Sequence, residues 1–163
     1  MPADILSHTP PWVWALLAAL LALGYAQTRP RRSGPARIAL LPLAMIAWSL
    51  QGVAGGGAAV LAAWLLGLGG TMALTQRLAP RGHYDASQRV FTLPGSGWPL
   101  VLMLLTFFAH YAAEVARALM PQAAASVGMQ AGFAALYGAL SGTFAGRALA
   151  MLRLMRPAHA AHA

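Results

Sequence analysis

Residues 98–120 read WPLVLMLLTFFAHYAAEVARALM, an apolar run into which only Thr106, His110, Glu114 and Arg117 bring strongly polar groups. As a helix this stretch is about 34 Å long at 1.5 Å per residue, enough to cross the ~30 Å hydrocarbon layer of a bilayer. Pro99 falls in its first turn, where a missing N–H costs nothing. Working outward, four further apolar runs cover 11–27, 37–53, 58–75 and 123–154. The first three are short for a crossing, which implies little tilt or local thinning of the bilayer. The reading is an all-α integral membrane bundle of five transmembrane helices, forming one domain over 1–156.

Composition agrees. Of 163 residues, 59% are hydrophobic and 9% charged, against about 25% charged in soluble domains. An ordinary water-soluble globule is excluded. The absence of cysteine removes disulfides, thiol catalysis, iron–sulfur ligation and thiolate zinc sites together.

Charge then sets the orientation. All 11 basic residues are arginine, and the acids are Asp4, Asp85 and Glu114. Arg29, Arg31, Arg32 and Arg37 lie between the first two runs. Arg77, Arg81 and Arg89 lie between the third and fourth, and Arg147, Arg153 and Arg156 close the fifth. Arg117 alone falls on the other side. Under the positive-inside rule this is an N-out, C-in membrane protein. The pI near 11.6 reflects these clusters beside apolar runs, so no nucleic-acid partner is expected. Trp12, Trp14 and Tyr25 are placed as interfacial anchors of the first run. That run is preceded by no arginine or lysine, so it reads as a span and not as a secretory signal peptide.

The connections differ in kind. Residues 52–57, GVAGGG, read as a tight helical hairpin with no room for a site. Residues 76–97 form a cytoplasmic loop in which 89–93 is extended and Pro94-Gly95-Ser96-Gly97 turns. Residues 157–163 read as a disordered tail.

Within the membrane, Thr106, His110, Glu114 and Arg117 fall within about 80° of one another on the fourth helix and form one polar stripe. His110 and Glu114 are spaced i,i+4, and Glu114 and Arg117 i,i+3, so each pair is within reach. A buried charge in a span faces a partner or a water-filled cavity. Two readings stay open: Glu114 as a proton or cation site tuned by His110, or an internal Glu114–Arg117 pair near the outer interface. On the fifth helix Gly128, Gly132, Gly138, Gly142 and Gly146 line one face, at the spacing that lets membrane helices approach closely. Ala59, Ala63 and Gly67 are the expected partner strip within the chain, with homo-oligomer formation as the other use of that face. Tyr137 and Ser141 are placed as hydrogen-bonding groups between helices.

Catalytic patterns are missing. Ser96 and Ser141 do not sit in a G-x-S-x-G elbow, and there is no P-loop or HExxH. His83-Tyr84-Asp85 supplies too few ligands for a metal. His110 and His83 cannot share one haem within a chain. No enzyme activity, metal or cofactor is expected.

Leu93-Pro94-Gly95-Ser96-Gly97-Trp98-Pro99-Leu100, Phe107-Phe108-Ala109-His110-Tyr111 and Gly146-Arg147-Ala148-Leu149 together resemble a family of small proteobacterial multi-pass inner-membrane proteins defined as a domain of unknown function. The resemblance implies five helices in a bacterial inner membrane and transfers no catalytic residue. The leading functional expectation is an oligomeric transport or permeation protein with its polar site on the fourth helix. The alternatives are a non-catalytic membrane partner or assembly subunit docking through the glycine face of the fifth helix, and a haem- or lipid-binding module. The bilayer, a second copy and a membrane-protein partner are the expected contacts.

Overall fold

A computed structural model describes residues 10–78 and 82–155. Asp4, Arg81, Arg156 and the tail 157–163 lie outside the described residues. The chain is mostly helical. Its long helices are α1 (Pro11–Ala26), α2 (Pro35–Val53), α3 (Gly57–Thr75), α4 (Trp98–Leu119) and, after the short α5 (Pro121–Ala124), α6 (Val127–Arg153). Proline opens α1, α2, α4 and α5 in the first turn, where its fixed φ already suits a helix. Ser126 caps α6 by accepting from the Met129 N–H at 3.4 Å. The expected run 123–154 therefore breaks at 125–126, and its helix begins at Val127.

α2, α3 and α4, of 19, 19 and 22 residues, are long and apolar enough to cross a membrane. α1 is apolar but has 16 residues. α6 is the longest at 27 residues and is rich in glycine and alanine. It is also the hub of the bundle, with Ala134, Tyr137, Leu140, Ser141 and Phe144 all buried. It packs most closely along α3 and next along α2, while α1 lies against α4. A helix that touches protein on most sides needs small side chains more than apolar ones, so its composition follows from its position.

One part departs from the all-helical expectation. Arg31–Ser33 (β1), His83–Asp85 (β2) and Val90–Leu93 (β3) form an antiparallel sheet in the order β1-β3-β2. β3 matches the extended segment expected at 89–93. Its partner β1 comes from the connection between α1 and α2, nearly sixty residues earlier. Phe91 is fully buried beneath the sheet. In the turn joining β2 to β3, Asp85 Oδ1 accepts from Ser87 Oγ (2.6 Å), Ser87 N (2.9 Å) and Gln88 N (3.2 Å). These bonds hold the exposed Asp85 carboxyl below its ordinary pKa. The PGSG segment docks on the same connection: Ser96 N–H donates to Gln27 O at 3.1 Å, and Gly95 lies where a Cβ would strike the Thr28 carbonyl.

The sheet gathers the arginine-bearing connections at one end of the bundle. Arg153 on α6 joins them by donating to Gln76 Oε1 at 2.7 Å. Arg117, late in α4, lies beyond His110 toward the opposite end.

Candidate functional site

The polar stripe of α4 is continuous in angle but not in depth. Thr106 and His110 lie mid-helix beneath α2 and α6. Glu114 and Arg117 lie in the last turns, where Arg117 is about 10 Å further along the axis than His110. Thr106 is buried and donates its hydroxyl proton to Leu102 O at 2.9 Å. The Thr106 carbonyl in turn accepts from His110 Nδ1, also at 2.9 Å. Glu114 and Arg117 pair with each other at the bundle surface, their side chains 69% and 52% exposed. Glu114 is thus bonded to Arg117 and not to His110, so the four residues do not assemble one site.

His110 is held on three sides. Its ring stacks on Tyr137 of α6 at 4.0 Å between centroids and 11° between planes. On α2, Trp48 stacks on the ring at 4.8 Å and 21°. Because the Thr106 carbonyl only accepts, Nδ1 carries the proton. In the neutral ring that leaves Nε2 as a bare lone pair, and among the described residues this buried atom has no hydrogen-bond partner. An unpaired buried polar atom costs roughly 1–3 kcal/mol, a cost that a donor hydrogen-bonded to Nε2 would remove.

The space beside it is kept by Gly52. A Cβ at that position would stand 3.4 Å from Nε2 and 3.2 Å from Tyr137 Cε2. Gly52 and Tyr137 also line a cavity of about 250 Å³, with Arg117, Gln130 and Phe133 in its wall. Val53, Ala54, Gly55 and Gly56 complete that side. The hairpin expected to leave no room for a site therefore forms one wall of a cavity. Gly55 and Gly57 turn with φ of +89° and +80°, a bend glycine allows without strain.

The cavity stops at mid-bundle. Along α2 and α6, Met45, Ser49, Leu140 and Ser141 fill the interior, with Trp64 from α3. Ser49 Oγ accepts from Trp64 Nε1 at 3.2 Å and from Ser141 Oγ at 2.9 Å, and donates to Ile46 O at 3.0 Å. This knot joins three helices and leaves none of its polar groups unpaired.

The five glycines of α6 divide. At Gly138 a Cβ would strike the Trp64 carbonyl, at Gly142 the Leu68 carbonyl, and at Gly146 the Thr75 hydroxyl. Gly67, on α3, meets the Ala135 carbonyl in return, and Thr71 Oγ1 reaches Ala139 O at 2.8 Å. This part of the face is occupied by α3 and is not open to a docking partner. Gly128 and Gly132 have open space around them. Trp48 and Gly52 were not picked out from the sequence; their spacing of four, one turn apart on α2, is the only signal they carry.

No group of three histidine, aspartate or glutamate side chains gathers among the described residues. A family model, Family of unknown function (DUF6622), matches residues 1–162. The chain belongs to this family. No curated protein and no solved structure matches it. The family's description carries no activity, so the function rests on the site.

Proposed function

We propose that the protein is a non-enzymatic, five-span membrane protein that binds a small hydrogen-bond-donating molecule at His110. The observation that carries this reading is the buried, unpartnered Nε2, held by two stacked rings beside a cavity that reaches Gly52 and Tyr137. A ligand O–H or N–H donated to Nε2 would supply the missing bond. The aromatic walls suit a flat or apolar body.

Several features support the membrane part. Leu40, Leu43, Leu65, Leu66 and Phe108 are exposed on helices, a surface that suits lipid tails. Trp12, Trp14 and Tyr25 are exposed on α1, as interfacial anchors are. With the arginine end taken as cytoplasmic under the positive-inside rule, in a bacterial inner membrane, the chain is N-out, C-in and the cavity at Gly52 and Tyr137 opens outward. In this reading α1 spans despite its length and α6 spans within the shelter of its neighbours. Permeation, the leading expectation from sequence, additionally requires the Ser49–Trp64–Ser141 layer to part.

Native mass spectrometry of protein released in its own membrane lipid tests the reading. Wild type is expected to carry a stoichiometric small-molecule mass that His110→Phe lacks while keeping its fold. Identical spectra for the two would overturn it.

A further inference from the structure

The arginine end carries a second cavity, of about 120 Å³. Arg31, Arg37 and Arg147 line it, with Ser33 and Ser96 adding hydroxyls. The rest of its wall includes Leu41, Leu102 and Phe144, so a basic rim borders an apolar interior.

Among the described residues no carboxylate pairs with Arg31 or Arg37 at this rim. Arg31 is half-buried and donates to the neutral Gln27 Oε1 at 2.9 Å. Burial and the nearby Arg37 together hold the Arg31 pKa below its ordinary value. Among the described residues the only carboxylates are Asp85 and Glu114. Asp85 is engaged by its own turn, and Glu114 by Arg117 in the last turns of α4. Like charges drawn around one small cavity repel, and an anion between them reverses the sign of that interaction.

We propose that this cavity binds a phosphate oxyanion, presented by the headgroup of an anionic phospholipid. Guanidinium groups match phosphate oxygens in geometry and charge. Two observations favour a lipid source over free phosphate. The cavity has an apolar interior that acyl or glycerol carbons can cover. It also lies at the ends of helices long enough to span a bilayer, at the depth of headgroups. The inference rests on the membrane reading above, and goes beyond it in naming a ligand class at a different site.

The test uses the full-length protein in nanodiscs or mild detergent. Retention of phosphatidylglycerol is measured against phosphatidylcholine by native mass spectrometry. Wild type is expected to hold one phosphatidylglycerol preferentially. Arg31→Gln with Arg37→Gln is expected to weaken retention about 30-fold, near fivefold for each basic residue at an anionic surface. Arg37→Gln alone changes an exposed side chain and should lower affinity about fivefold with the fold intact. The Arg31→Lys, Arg37→Lys double variant should restore part of the affinity. Arg77→Gln, exposed and outside the cavity, should leave retention unchanged.

Equal retention of the two lipids by wild type would overturn the proposal, as would an equal loss in Arg77→Gln. Displacement of the lipid by equimolar inorganic phosphate would overturn the lipid source. Failure of the protein to float with liposomes would instead overturn the membrane reading, so the two failures are distinct.

Discussion

Two polar clusters sit one helical turn apart in the middle of the bundle and have opposite characters. Ser49, Trp64 and Ser141 close on one another, and every donor among them finds an acceptor. Trp48, His110 and Tyr137 are stacked just as closely, yet His110 Nε2 is left without one. The clusters share α2 and α6, and Trp48 and Ser49 are adjacent in the chain. The first fastens three helices and needs nothing more. The second is rigid but chemically incomplete, the arrangement expected of a preorganised binding group.

The comparison can be broken from the structural side first. Gly142→Leu would force a branched side chain into the Leu68 carbonyl at the α3–α6 seam. We expect a loss of about 3 kcal/mol or more, read as a vanished thermal transition in detergent. Gly132→Leu, which meets open space, is the control and should melt like wild type.

Ser49→Ala removes the acceptor of Trp64 Nε1, whereas Ser141 can turn to Met45 O, 3.3 Å away. One orphaned indole N–H is worth about 2 kcal/mol, so the melting temperature should fall by several degrees. An unchanged melting curve would deny the knot its fastening role.

On the other side, Gly52→Ala sets a methyl group 3.4 Å from Nε2. It should cost less than about 1 kcal/mol of stability but at least tenfold in occupancy of the proposed site beside Gly52, seen as loss of the co-purifying mass. Parallel losses of stability and occupancy would mean that Gly52 only packs.

The smallest effect lies outside the bundle, at Asp85. Its folded-state pKa is lowered, mainly by the Ser87 hydroxyl and then by the Gln88 and Ser87 amides. The turn's stability is therefore fully present above the unfolded carboxylate pKa of about 4 and is lost as pH falls through the lower folded value. Amide exchange at Ser87 and Gln88, corrected for intrinsic pH dependence, should lose protection only in that acid range. Protection that already fades near neutral pH would contradict the assignment.

Much of the architecture was legible in the sequence. Proline at the head of a run marked the starts of α1 and α4, and the apolar lengths marked the helices themselves. The break before α6 was hidden because alanine and glutamine at 122–125 suit a helix as well as a turn. β1 was hidden because Arg31-Arg32-Ser33 has no alternating pattern, and its partner β3 is remote in the chain. For the site, angular periodicity grouped Thr106, His110, Glu114 and Arg117 correctly around the axis. It could not register depth, which separates the first two from the surface pair. His110 was found because it is polar within a span. Trp48 and Gly52 escaped because an aromatic residue and a glycine in a membrane helix have many ordinary uses.

The central claim is that Nε2 of His110 is a bare acceptor awaiting a donor. Side-chain nitrogen-15 NMR of histidine-labelled protein tests it most directly, with His110→Phe assigning the signal. The account predicts a protonated Nδ1, an unprotonated Nε2 in delipidated protein, and a hydrogen-bond shift of Nε2 when the native membrane extract is returned. A proton found on Nε2 with Nδ1 bare, or an Nε2 signal indifferent to the extract, would contradict it.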